Sequence, residues 1–202
     1  MANIRDPLTT KNKIVREAEK QFAENGLQAA SVNVIAENAG INKRMIYHYF
    51  GSKEDLYREV LKINFHRIYT IGEKAFENKG DIVACVKQII REYYYFLWDN
   101  PSYVKIMGWE EIAGGMIARE IMPDSLLMGY ARLRELYDDG VKKNVLREEL
   151  DLKQLIISIN ALCFLTFARR ELLEVLWKDQ IDINLEARLE HLYDLILNGI
   201  CR

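Results

Sequence analysis

Along nearly the whole chain, apolar side chains recur every three to four positions, the period of an α-helix. Ile14, Ala18 and Phe22 give one apolar face to a first helix from about Thr10 to Asn25, opened by Thr9 or Thr10 and closed by Gly26 in a left-handed conformation. A second, short helix follows in "SVNVIAENAG", with Ser31 as its N-cap, Ile35 and Ala39 facing inward and Gly40 ending it. Asn42 can cap a third, Lys43 to Tyr49, only three residues on. Two short helices joined by a tight Gly-containing turn predict a helix-turn-helix. Ser52-Lys53-Glu54-Asp55 has the form of a capping box, so a fourth helix starts there and carries Leu56, Val60, Ile63 and Ile68 to about Phe76.

After a break at residues 77–81 the pattern stays helical to the end. A fifth helix spans about 82–98. Pro101 opens a sixth, which Gly114-Gly115 interrupts or ends, and Pro123 precedes a seventh at about 124–143. The last two run over about 152–177 and 184–199. The eighth is apolar nearly all round, with Leu155, Ile156, Ile159, Leu162, Cys163, Leu165 and Phe167, and must be covered on several sides. In a chain of 202 residues a partner subunit is the expected cover. The expected fold is therefore all-α, with about nine helices.

Composition agrees. Only three prolines occur, half the residues are apolar and 29% are charged, which suits a globular protein with a real core. The net charge of −2 is unevenly spread: residues 1–62 hold ten Lys or Arg against eight Asp or Glu, and the remainder is acidic. A slightly basic head on an acidic body is compatible with nucleic-acid binding by the head alone. Cys85, Cys163 and Cys201 show neither a zinc spacing nor an even disulfide framework. The N-terminus lacks the apolar core of a signal peptide, and the longest apolar stretch, Ile156 to Ala168, is too short to span a bilayer. A cytoplasmic protein with no membrane partner is expected.

Residues 41–56, "INKRMIYHYFGSKEDL", concentrate the candidate chemistry. Reading a DNA major groove requires a helix whose N-terminal side chains reach base edges while flanking groups hold phosphates. Lys43 and Arg44 can do either, and an arginine can grip guanine through two hydrogen bonds. Tyr47, His48 and Tyr49 bring O–H and N–H donors for phosphate oxygens. Lys53 adds a cation beside a helix N-terminus, which itself favours phosphate. Ile46 and Phe50 read as core.

With these motifs in order, residues 10–56 resemble the DNA-binding domain of the TetR family of transcriptional repressors. Phe22-Ala23-Glu24-Asn25-Gly26, Ile35-Ala36-Glu37-Asn38-Ala39-Gly40, Ile46 to Phe50 and Ser52 to Leu56 each match the family's pattern. The resemblance implies DNA contacts from Ser31 and Asn33 on the second helix, and from Lys43, Arg44, Met45, Tyr47, His48 and Tyr49 on the third. Two positions depart. Val34 stands where the family usually has an acidic residue, so the second helix lacks its capping-box partner. Arg44 and Met45 stand where small residues are common, so sequence preference is expected to lie there.

The resemblance further implies a DNA-binding domain at 1–52 and an effector-binding and dimerisation domain at 53–202. It also implies a homodimer through the last two helices, a near-palindromic operator, and release by a small-molecule effector bound among the middle helices. The expected effector is largely apolar or aromatic, and Tyr94, Trp98, Met107, Trp109, Met116, Met128 and Phe164 are its candidate wall. Enzyme motifs, paired carboxylates in a setting, cofactor loops and metal spacings are absent from the sequence, so neither catalysis nor a cofactor is expected. Two alternatives stay open: a ligand-independent DNA-binding or architectural protein, and a helical small-molecule binding protein.

Overall fold

A computed structural model of the chain describes residues 7–71, 75–77, 80–176 and 184–202, apart from the side chains of Pro7, Glu77 and residues 123–128. Ten α-helices and one short 3-10 turn make up the regular structure of these described residues. They are α1 (Pro7–Ala29), α2 (Val32–Asn38), α3 (Lys43–Phe50), α4 (Lys53–Tyr69), the 3-10 turn Ala75–Glu77, α5 (Ile82–Asp99) and α6 (Pro101–Ile112). Then come α7 (Ala118–Lys142), α8 (Leu152–Ala168), α9 (Arg170–Leu176) and α10 (Leu185–Ile200).

The all-α expectation holds, but the count and several ends differ, each for a local reason. α1 begins at Pro7, whose missing N–H suits a first helical position, so Thr9 and Thr10 lie inside the helix and Thr10 is buried. α4 stops at Tyr69 rather than near Phe76, where Ile71 donates three residues back to Ile68 and tightens the last turn. Pro123 does not precede the seventh helix; it lies within α7, which already starts at Ala118. The expected eighth helix is two, α8 and α9, bent by 70° about Arg169, whose φ of −114° and ψ of 16° leave the helical region without a Pro or Gly to announce it. Among the described residues no single helix is long and apolar enough to cross a membrane.

The chain forms two compact units. The first gathers the residues up to His66 with Ser102–Asp124; the second gathers Arg67–Pro101 with Ser125–Arg202. This grouping carries the head past residue 52, because α4 and α6 pack into it. Ile14, Ala18 and Phe22 are fully buried on α1, as their spacing predicts, and Ile35, Ile46 and Leu56 of the same unit are fully buried too. The inward face of α4 is Leu56, Tyr57, Val60, Leu61 and Phe65, with Ile63 and Ile68 only half-buried. Phe22 and Tyr57 pack edge to face at 4.9 Å between centroids, joining α1 to α4.

A buried carboxylate fastens α6 to this unit. Glu110, only 4% exposed, accepts from the Tyr57 hydroxyl at 2.9 Å and from the Ala118 backbone N–H at 2.9 Å. It thus serves α4 and the N-terminus of α7 together, where a carboxylate satisfies an otherwise orphan donor. Gly114-Gly115 end α6: Gly114 has φ 75°, and Gly115 donates back to the Glu110 carbonyl.

In the second unit α5 is the hub. Asp81 caps it by accepting from Ala84 N–H. The Tyr193 hydroxyl on α10 reaches the Lys87 carbonyl, and Asn160 on α8 donates to the Tyr93 hydroxyl. Leu189, Leu192 and Ile196 bury the inner face of α10 within the same chain.

Candidate nucleic-acid interface

Helices α2 and α3 form the turn that the sequence predicts. Ser31 accepts from Val34 N–H at 3.4 Å to open α2. Gly40, at φ 65°, closes it: Gly40 donates to the Glu37 carbonyl and Ile41 to the Ala36 carbonyl, the paired bonds of a left-handed C-terminal cap. Asn42 then accepts from Arg44 N–H at 2.9 Å and starts α3 without a spare residue. Ser52 accepts from Asp55 N–H at 3.0 Å and donates to the Asp55 carboxylate at 2.6 Å, giving α4 its cap.

Only one side chain of α3, Ile46, is fully buried (0% exposed), and it nails the helix to the head's core. The rest of α3 turns outward. Lys43, Arg44, Tyr47 and His48 are exposed, Tyr47 by 43%, and Met45 and Tyr49 are half-buried beside them. Phe50 is half-buried, with the Lys11 ammonium 5.5 Å from its ring; Lys11 also pairs with Glu59 at 2.9 Å. The Lys43 ammonium lies 5.8 Å from the Tyr47 ring centroid, and the His48 and Tyr49 rings meet at 5.5 Å. On α2, Asn33 is exposed and Ser31 half-buried. Val34 is exposed and supplies no carboxylate for a capping box.

Lys53 is placed differently from its neighbours. Its ammonium donates to the Gln28 carbonyl at 3.0 Å and the Ala30 carbonyl at 3.3 Å, bracing α4 against the end of α1. Nothing in the sequence signals this, because the carbonyl partners lie 23 and 25 residues away.

The seven candidate effector residues do not belong to one compact unit. Tyr94 and Trp98 on α5 and Phe164 on α8 belong to the second. There the Phe167 ring joins the two α5 aromatics, 4.8 Å from Tyr94 and 6.4 Å from Trp98, and Arg170 stacks over Trp98 at 4.5 Å. Met107, Trp109 and Met116 belong to the first unit. Trp109 lines an open recess of about 450 Å³ with Ala23, Glu24, Lys105, Gly108 and Ile112, while its N–H is committed to α1. The Met128 side chain lies outside the described residues. Among the described residues no cluster of His, Cys, Asp or Glu could hold a metal ion. Burial pushes the Cys163 thiol up to about 12, so it remains a protonated, inert wall.

A two-helix turn with a single buried anchor and an outward face of cations and hydroxyl-bearing rings is a helix-turn-helix DNA-binding module. Residues 14–60 match the family described as bacterial regulatory proteins, tetR family, and residues 83–198 match the tetracyclin repressor-like C-terminal domain. The chain is 31% identical over 201 residues to the HTH-type transcriptional repressor NicS of Pseudomonas putida, covering 96% of this chain and 93% of that protein. It is 25% identical over 159 residues to the HTH-type transcriptional repressor SCO4008 of Streptomyces coelicolor, covering 78% of each. The fold is similar to that of the TetR family transcriptional regulator PfmR from Thermus thermophilus, with a TM-score of 0.70 and 23% identity over 92% of this chain and 97% of that one. The chain therefore belongs to the TetR family of transcriptional regulators. Its members bind operator DNA and dimerise; they are regulators and not enzymes.

Proposed function

We propose that this regulator is a repressor that holds a near-palindromic operator as a homodimer and leaves it when a small molecule binds the helical body. The observation that carries the DNA half is the face of α3: with Ile46 as its buried anchor, the side chains of Lys43, Arg44, Tyr47 and His48 are left for DNA. In this reading Arg44 and Met45 choose bases. Ser31, Asn33, Lys43, Tyr47, His48 and Tyr49 hold phosphates, with Lys53 adding its remaining donor.

Dimerisation through α8 and α10 is supported by apolar side chains that the chain itself leaves uncovered. Ile157 and Leu165 on α8 and Leu195 on α10 are each about half exposed or more. Side chains of this kind in a helical pair fit a second copy related by two-fold symmetry. Such a dimer presents two copies of α3 to half-sites one helical turn apart, about 34–36 Å.

The body, 53–202 in the functional division, supplies the ligand site. Tyr94 and Trp98 on α5 and Phe164 on α8 all lie in the second unit, where Phe167 packs against the two α5 rings, and these aromatics suit a largely apolar or aromatic effector. Release requires the ligand to favour the conformation that does not fit DNA, with a coupling of about 1–3 kcal/mol. The test is fluorescence anisotropy on duplexes from the region around the chain's own gene, followed by addition of a metabolite panel. Retention of one duplex over random DNA, lost on adding one compound, supports the reading. Specific retention that no compound relieves favours the ligand-independent alternative.

A further inference from the structure

Tyr94 is fully buried (0% exposed), yet its hydroxyl is the only buried side-chain nitrogen or oxygen among the described residues with no hydrogen-bonding partner. An unpaired buried hydroxyl is costly, and native structures rarely keep one without a reason. Its surroundings in the second unit are apolar on one side: the Phe167 ring at 4.8 Å and the buried, protonated Cys163 thiol, both on α8. From α10 comes a charge. Arg188 is half-buried, and its guanidinium bears on both Tyr94 and Cys163.

Arg188 also lacks a partner: among the described residues no carboxylate lies within ion-pair distance of it. The acid nearest in sequence, Glu186, is already taken. It accepts from Arg91 at 2.8 Å and from the Tyr95 hydroxyl at 2.5 Å, and these two bonds hold its carboxyl below the usual range. A buried O–H donor and a half-buried guanidinium, both unspent, are complementary to an acceptor that carries negative charge.

We propose that the Tyr94 hydroxyl and the Arg188 guanidinium form the acid-recognising end of the ligand site, so that the small molecule is a largely apolar body ending in a carboxylate or comparable anion. This rests on the ligand-release reading and narrows its chemistry. Tyr94 donates one hydrogen bond, Arg188 supplies the balancing charge, and Phe167 packs against the body of the ligand.

The test uses the purified full-length protein and defined probes: sodium 2-naphthoate and sodium octanoate, each titrated against its neutral amide. At least one acid is expected to bind roughly tenfold more tightly than its amide, the range of a hydrogen bond to a charged group. R188Q should abolish that preference. Y94F should weaken the acid by about fivefold or more while leaving the melting temperature of the free protein unchanged or raised, because it deletes an unpaired hydroxyl. Equal binding of acid and amide, no binding of either acid at millimolar concentration, or a clear drop in the melting temperature of free Y94F would each overturn the proposal. Measuring operator release in parallel separates the two claims. An acid bound through Tyr94 and Arg188 that leaves DNA in place refutes ligand release alone; release by acid and amide alike refutes the acid-recognising end alone.

Discussion

The indole of Trp109 lies directly against Gly26: a Cβ on Gly26 would fall 3.0 Å from the ring, and the indole N–H donates to the Ala23 carbonyl at 3.1 Å. Gly26 also has φ 65° and ψ 177°, a conformation that only glycine adopts without strain. The kink at Gly26 within α1 is therefore fixed both by its own backbone and by a side chain of α6.

Gly26→Ala should be destabilising by about 1–3 kcal/mol, from backbone strain together with the clash. Urea unfolding of G26A, W109A and the double variant checks this. W109A should relieve the clash but not the strain, so the double variant should lose less than the sum of the two. Strict additivity would mean that the ring does not press on residue 26.

The Tyr57–Glu110 bond should show in the alkaline limb of stability. Burial, then the bond to Glu110 and its charge, hold the Tyr57 hydroxyl well above the ordinary tyrosine value, and burial pushes Tyr94 up to about 12. A pKa raised on folding contributes stability that is whole below about pH 10 and is lost as pH rises toward the folded value. Unfolding free energy should thus fall above pH 10, by up to about 1.4 kcal/mol per pH unit for each such tyrosine. Tyr57→Phe should flatten this slope. At neutral pH it should cost about 1–3 kcal/mol, because a Glu110 oxygen loses its donor. An unchanged alkaline slope in Y57F would show that Tyr57 ionises freely.

Lys53 has three donors, of which the Gln28 and Ala30 carbonyls take two. Lys53→Ala should cost about 1 kcal/mol of stability. It should also weaken binding to all DNA about equally and reduce the salt slope by about one. A full salt slope with reduced stability would assign Lys53 wholly to bracing α4.

Arg44 is exposed in the first turn of α3, with its backbone N–H held by Asn42. Arg44→Ala should relax preference at one base pair per half-site, at a cost of about 1–3 kcal/mol. Comparing the selected sites of wild type and R44A decides this; uniform weakening without a change of preference would move Arg44 to the phosphates.

The head was legible because its signals are local. Ser31, Asn42 and Ser52 cap helices within three residues of themselves, and Gly26 and Gly40 take the positive φ that their positions predict. The period of Ile14, Ala18 and Phe22 gives the core face outright. What escaped the sequence depends on tertiary neighbours or on propensities that compete. Pro123 looks like a helix start, yet the backbone leaves Gly115 early enough for α7 to begin before it. The 70° bend at Arg169 has no proline or glycine to mark it. Nothing in Glu110-Glu111 sets Glu110 apart, and only the fold shows it buried and bonded to Tyr57 and Ala118.

The most direct measurement is selection of bound sites from random duplexes by the purified protein, followed by its affinity for the winner at about 0.15 M salt. The expected winner is a near-palindrome whose half-sites lie about one helical turn apart, bound by a dimer at least about a thousandfold more tightly than random duplex. Enrichment of no symmetric site, or equal affinity for selected and random DNA, would contradict this expectation.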